Sequence, residues 1–192
     1  MNISMSPLDR SIALVMLAAG RGERFGCDKL ASEFRGRQLW EWAALAAEEA
    51  GFQCLYAVIG EHSSVRPAGR VWQTVLNPNA QQGMGTSIAA GIAAAAAHER
   101  VVIALADMPL IHPSHLRELG QGSGTIFTRQ TDGCAGSPAA FGREDFAKLR
   151  SLVGDQGARS LAFPDASIIE PEAGSMLADI DTSADLVLAL SK

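Results

Sequence analysis

Between Leu17 and Lys29 the chain reads Leu17-Ala18-Ala19-Gly20-Arg21-Gly22-Glu23-Arg24-Phe25-Gly26-Cys27-Asp28-Lys29, with glycines spaced among arginines and a lysine closing the run. That composition suits an anion. Glycines let backbone N–H groups come close to a phosphate, and Arg24 and Lys29 supply positive charge. Spacing argues against the two commonest phosphate loops. A Walker A loop places Lys directly after its second Gly and a Ser or Thr after that, whereas Cys27 and Asp28 separate Gly26 from Lys29, and Leu30 follows. A dinucleotide fingerprint needs a third Gly where Phe25 stands and an acid at the end of a strand about twenty residues on, and neither is present. The plainer alternative for the same stretch is a strand-to-helix turn with solvated basic residues.

Other chemistry-bearing residues follow at intervals. Asp107 comes directly after the apolar run 100–106, in the place where open α/β sheets bind ligands beyond the carboxyl ends of their strands. A carboxylate there can hold Mg²⁺ against phosphate oxygens, or it can cap a turn before Pro109. Gly83-Met84-Gly85-Thr86-Ser87 offers backbone amides and hydroxyls at a helix start, a place that favours anions, or it is an ordinary capped start. Asn77 can read a base edge or turn the chain before Pro78. Gly133 to Pro138, Ser137 included, can line a cleft or return the chain to the sheet. Asp155 and Arg159 can bind an acceptor phosphate through the guanidinium fork, or pair with each other. In Asp179-Ile180-Asp181-Thr182 an extended backbone puts both acids on one side, and Asp181-Thr182 also reads as the N-cap of a last helix. His62, His98, His112 and His115 make no metal-ligand pattern, and no Ser–His or Cys–His arrangement is evident. The set fits phosphoryl chemistry, in which positioning and electrostatics do most of the catalysis.

The elements that must hold these residues alternate in type. Apolar, β-branched runs at 12–18, 54–59, 71–76, 100–106, 124–128, 137–141 and 166–170 predict strands. Segments 38–50, 85–98, 113–119, 143–150 and 182–191 predict helices, the first with Leu39, Trp42, Leu45 and Ala46 on one face. The pattern is that of an α/β fold with a mostly parallel, doubly wound sheet. With 192 residues, 47% of them hydrophobic, residues 1–192 are expected to form one domain, 1–10 being a loose tail. Gly120 to Gly124 predicts a surface turn, and Trp40, Trp42 and Trp72 are core or interface candidates. A net charge of −5 without a basic block argues against a nucleic-acid or anionic-membrane face. Cys27, Cys54 and Cys134, odd in number and widely spaced, are expected to be reduced thiols in a cytoplasmic protein. The apolar run Ile12 to Ala19 leads into glycines and a lysine, which suits a first strand better than a signal peptide.

The string LAAG-x-G-x-R-F-G-x-x-K resembles the signature of the MobA/MocA-like nucleotidyltransferases, which attach a nucleotide to molybdopterin. Asn77-Pro78, Gly83 to Ile88, Ala106 to Pro109, Gly136 to Gly142, Gly154 to Arg159 and Asp179 to Thr182 resemble the family's pattern in the same order, covering about residues 12–190. Ala19, where a sister branch has Gly, resembles the cytidylyltransferases. The resemblance implies Mg²⁺-dependent transfer of CMP from CTP to a phosphorylated acceptor, molybdopterin, with a molybdoenzyme as possible client. It implies nucleotide contacts from Leu17, Ala18, Ala19, Gly20, Gly22, Arg24, Lys29, Asn77, Gly85, Thr86 and Ser87, and catalysis by Arg24, Lys29 and Asp107. Ser137, Asp155 and Arg159 would meet the acceptor, and Asp107 and Asp181 the metal. Ser137 departs from the His that many relatives carry before the proline. Two other expectations are an NAD(P)H-dependent oxidoreductase of the same family and a non-catalytic partner in cofactor maturation.

Overall fold

The computed structural model describes residues 5–20, 28–178 and 180. Its first strand, β1 (Ile12–Ala18), is a continuous apolar run because both of its faces are covered. Leu14, Met16 and Ala18 belong to one buried cluster, and Ala13, Val15 and Leu17 to the other, the two-residue alternation of a strand between two layers. A short hairpin follows, β2 (Glu33–Phe34) and β3 (Arg37–Gln38), leading into α1 (Leu39–Glu49). Next come β4 (Leu55–Ile59), β5 (Trp72–Leu76), α2 (Met84–Ala94), β6 (Arg100–Leu105) and α3 (Pro113–Gln121). The remaining elements are β7 (Ile126–Arg129), β8 (Ala135–Gly142), α4 (Phe146–Arg150) and β9 (Ser167–Ile169).

Among the described residues these strands form a seven-stranded sheet in the order β5-β4-β1-β6-β8-β7-β9, with β2 and β3 pairing apart. β4 and β6 flank β1 in parallel, β5 extends the sheet in parallel, and β8 runs antiparallel to both β6 and β7. Buried residues of α1 and α3 fall in one cluster and those of α2 and α4 in the other, so the sheet is doubly wound as expected. The chain leaves β1 for β4 on one side and returns through α2 to β6 on the other. The carboxyl ends of β1, β4 and β6 therefore open onto a topological switch point, where such sheets bind ligands.

α2 lies unusually close to the sheet. A Cβ on Gly91 would stand 2.4 Å from Val15 Cγ1 and 3.0 Å from Val58 Cγ2, so only glycine permits this approach. The close approach fixes where the N-terminus of α2 meets the β1 and β6 ends.

Three expectations need correction. The tail 1–10 is not loose over its described part: Leu8 is buried, its N donates to Gly51 O at 2.8 Å, and Ser6 O accepts from Arg117 Nη1 at 2.7 Å. Gly120 is not part of a surface turn: α3 runs through Gln121, and Gly120 packs where a Cβ would sit 3.1 Å from Phe52 Cζ, leaving the turn to the residues around Gly124. The segment 143–150 is not one helix but a 3-10 turn, Arg143–Asp145, that runs into α4. The expected helix 182–191 and the acids Asp179 and Asp181 lie outside the described residues. Trp40 and Trp72 are buried, their indole N–H groups donating to Gln38 Oε1 at 2.7 Å and Glu48 Oε1 at 2.6 Å.

Candidate active site

A cleft of about 400 Å³ opens at the switch point, lined by the ends of β1 and β6 and the start of α2. Leu17, Ala19 and Gly20 form one wall, Gly83, Met84 and Ser87 another, and Lys29 and Asp107 face it together with Asp155. Among the described residues, and apart from its chain neighbours, no atom lies within 4 Å of where a Cβ on Gly20 would stand. Of the phosphate loop, Gly22 and Arg24 lie outside the described residues, whereas Leu17, Ala18, Ala19, Gly20 and Lys29 are described.

Lys29 and Asp107 meet although 78 residues apart: Lys29 Nζ donates to Asp107 Oδ2 at 2.7 Å. Local structure sets both ends of that contact. Asp28 Oδ1 accepts from Leu30 N at 3.2 Å and its Oδ2 from Ser64 N at 3.2 Å, which fixes the 3-10 turn Lys29–Ala31 carrying the lysine. Asp107 follows β6, where Ala106 N donates to Leu17 O at 3.1 Å and locks the turn to the end of β1. Asp107 O accepts from Ile180 N at 3.2 Å, Ile180 being the residue between Asp179 and Asp181 in sequence. The other carboxylate oxygen, Asp107 Oδ1, is buried without a hydrogen-bond partner among the described residues. A buried anionic oxygen left so is costly, and a cation is the partner its chemistry fits. Asp28 was absent from the sequence-based site. An Asp one residue before the lysine, with helix-capping chemistry, was the signal that could have found it.

Asn77 is engaged within the protein. It is buried, its Nδ2 donates to Thr86 Oγ1 at 2.9 Å and Ser87 Oγ at 3.0 Å, and its Oδ1 accepts from Asn79 N at 3.0 Å. With both amide hydrogens and the oxygen engaged, it organises the first turn of α2 from the end of β5. Thr86 Oγ1 is held further by Gly83 O at 2.9 Å. Gly83 and Gly85 admit the 153–157 segment onto this helix start: a Cβ on Gly85 would meet Val153 O at 2.8 Å, and Gly85 N donates to Gly154 O at 2.8 Å.

A second cleft of about 290 Å³ shares Leu17, Met84, Leu105 and Asp155 with the first. Its floor is apolar, with Ile103, Phe127 and Phe141, and its rim carries Gln130, Ser137 and Arg159. Asp155 and Arg159 do not pair: among the described residues no ion pair joins them, and both are exposed. A third cleft of about 580 Å³ adjoins the first through Ala19, Gly20, Ala80 and Gln81 and is closed by Gly60 to Ser63. Among the described residues no three His, Cys, Asp or Glu side chains cluster as a ready metal site. No helix of the described residues is long and apolar enough to cross a membrane.

Beneath the second cleft lies a buried chain of polar groups. Thr128 Oγ1 donates to Pro138 O at 2.6 Å and so accepts from His115 Nε2–H at 2.8 Å. Burial holds the His115 imidazole below its ordinary 6.5, while Glu118 and Glu172 act in the opposite sense. The unfolded chain then takes up this proton more readily than the folded one. The contribution of His115 to stability is complete above pH 6.5 and is lost as pH falls through that value towards the lower folded pKa. Urea unfolding on either side of pH 6.5 should show a declining midpoint on the acid side, flattened in His115→Asn.

The family described as "MobA-like NTP transferase domain" matches residues 14–167. The purine catabolism protein PucB of Bacillus subtilis (strain 168) is 28% identical over 185 residues, 88% of this chain and 90% of that protein. The nicotine blue oxidoreductase of Paenarthrobacter nicotinovorans is 35% identical over 99 residues, 50% of this chain and 48% of that protein. Among solved structures, Rv0371c of Mycobacterium tuberculosis H37Rv superposes with a TM-score of 0.76 at 26% identity, covering 94% of this chain and 98% of that one. A further structure of Rv0371c is a complex with manganese, with a TM-score of 0.70 at 23% identity and 94% and 98% coverage.

Proposed function

The chain belongs to the MobA-like NTP transferase family and is a nucleotidyltransferase, and on that premise we propose that it moves CMP from CTP to the phosphate of molybdopterin, releasing pyrophosphate. The observation that carries this reading is the Lys29–Asp107 pair facing the first cleft, which shares a wall with the second, with Asp107 Oδ1 buried and unpartnered among the described residues. The nucleotide lies along the first cleft and the third, which join at Ala19 and Gly20, its phosphates towards Lys29 and the N-terminus of α2. The acceptor lies in the second cleft, with Arg159 and Ser137 at its rim. Asp155 stands on the wall common to the two.

The transfer needs no side-chain nucleophile. An oxygen of the acceptor phosphate, already anionic, attacks the α-phosphorus. That P–O bond forms as the bond to the bridging oxygen breaks, and pyrophosphate leaves with the electron pair. Lys29 and Arg24 meet the charge on the triphosphate and the departing pyrophosphate. Asp107 would hold Mg²⁺, which when bound neutralises charge on phosphate oxygens. Asp181 is the second candidate ligand, because Ile180 beside it in sequence bonds to Asp107 O. Asn77 acts on the nucleotide through Thr86 and Ser87, whose hydroxyls it orients.

Nucleotide choice tests the reading. With Mg²⁺ and molybdopterin, pyrophosphate release should be faster from CTP than from GTP, with kcat/KM higher by about tenfold or more, the discrimination a shaped pocket provides. Equal or higher kcat/KM with GTP would overturn the choice of CTP. NADPH oxidation without pyrophosphate release would favour an oxidoreductase, the reading supported by the 35% identity over 99 residues to nicotine blue oxidoreductase.

A further inference from the structure

The hairpin that walls the second cleft is irregular. β7 and β8 pair Phe127 with Ala139 but Thr128 with Gly136, so Ser137 and Pro138 bulge out of the ladder. Bulges next to binding sites re-aim side chains, and the carbonyls they release need new donors. Here two β7-side residues supply them. Thr128 Oγ1 donates to Pro138 O, and Gln130 Nε2 donates to Ser137 O at 2.9 Å and to Thr128 O at 3.2 Å.

The bonds of Gln130 fix its orientation. Two carbonyl oxygens face the end of its amide, and an amide oxygen placed there would repel both, so the NH₂ group must take that position. Both of its hydrogens are then used. What Gln130 offers the cleft it lines is its carbonyl oxygen, an acceptor only. Its side chain is also seated: a Cβ on Gly136 would fall 2.5 Å from Gln130 Cγ and 2.6 Å from its Cδ, so the chain lies flat across a backbone with no side chain. Behind it the floor is apolar, with Phe127 and Phe141 packed edge to face at 5.6 Å between ring centroids.

We infer that Gln130 determines acceptor specificity, its fixed Oε1 reading an N–H donor on the edge of a planar heterocycle that lies over the apolar floor of the second cleft. This rests on the assignment of that cleft to the acceptor. A rigid acceptor at the rim of an apolar slot discriminates by penalty: a ring edge without N–H leaves the amide oxygen desolvated and unpaired.

The test compares two rings of similar size in binding titrations with the full chain. Pterin carries N–H donors along its pyrimidine edge, and 1,3-dimethyllumazine carries none. The wild-type protein should bind pterin about tenfold more tightly or better, the ratio corresponding to one buried hydrogen bond. Gln130→Leu should abolish the preference. Gly136→Ala, which leaves the glutamine in the chain but takes its seat, should do the same. Thr128→Val removes the Oγ1 anchor on Pro138 O but keeps the Thr128 backbone carbonyl that Gln130 Nε2 bonds, and it should keep the preference. Loss of preference in Thr128→Val to the same degree as in Gln130→Leu would overturn the inference, because the effect would then belong to the bulge. A wild-type protein that transfers CMP to molybdopterin yet binds both rings equally would overturn the role of Gln130 and leave the transfer reading standing. Binding of neither ring would overturn the inference together with the pterin acceptor, while pyrophosphate release with another phosphorylated acceptor would leave nucleotidyl transfer intact.

Discussion

Asp107→Asn is expected to lower kcat about 10²- to 10³-fold, or about 3–4 kcal/mol of transition-state stabilisation, while leaving thermal stability nearly unchanged. The substitution keeps size and leaves an oxygen that can still accept from Lys29 Nζ, which lies 2.7 Å from Asp107 Oδ2. The backbone bonds that tie this turn to Leu17 and Ile180 do not involve the side chain. What is lost is the negative charge, and with it the buried Oδ1 as a ligand for a divalent cation. Steady-state kinetics over a range of Mg²⁺ should therefore show a lower plateau and a higher half-saturating concentration. Full activity at ordinary Mg²⁺ would remove Asp107 from the metal.

Lys29→Ala should cost about 2–4 kcal/mol of transition-state stabilisation, the range for removing one preorganised charge donor. Lys29 and Asp107 are counter-ions, with side chains only 12% and 23% exposed. Nucleotide bound with its divalent cation brings the same two signs, phosphate for the lysine and metal for the carboxylate, so the pair can open without leaving either charge unmet. The alanine variant has no such exchange to make. Its loss should appear in both CTP affinity and turnover, and Lys29→Arg should recover part of it. Because the two side chains touch, the double variant should lose less than the sum of the singles. Unchanged turnover in Lys29→Ala would reject the phosphate role.

How far the sequence reveals this depends on the range of the interactions. β1 was legible because a strand covered on both faces must be apolar throughout, and α1 because its apolar residues recur at helical spacing. The β2–β3 hairpin escaped notice, since its strands are two residues long and too short to show a period. Its signal was Gly36 after Arg35, both at positive φ, as a tight hairpin turn requires. Lys29 could be nominated because it closes a Gly-rich loop, and Asp107 because it follows a strand readable from the chain. That they touch, and that one carboxylate oxygen has no partner among the described residues, are tertiary facts. Asn77 shows the limit from the other side: its type allows a base contact, and only packing shows that its amide is already engaged. Gln130 is not singled out by the sequence; its bonds to Ser137 O and Thr128 O and its place on the second cleft are tertiary facts as well.

The most direct test of nucleotidyl transfer follows the α-phosphorus itself. Wild-type protein is incubated with CTP labelled at that atom, Mg²⁺ and molybdopterin, and both label and pyrophosphate are counted. The account predicts label on the acceptor in equal amount to the pyrophosphate released, and almost none with Asp107→Asn. Pyrophosphate released with the label left on free CMP would mean hydrolysis, and intact CTP beside oxidised NADPH would mean a different reaction; either result would contradict the account.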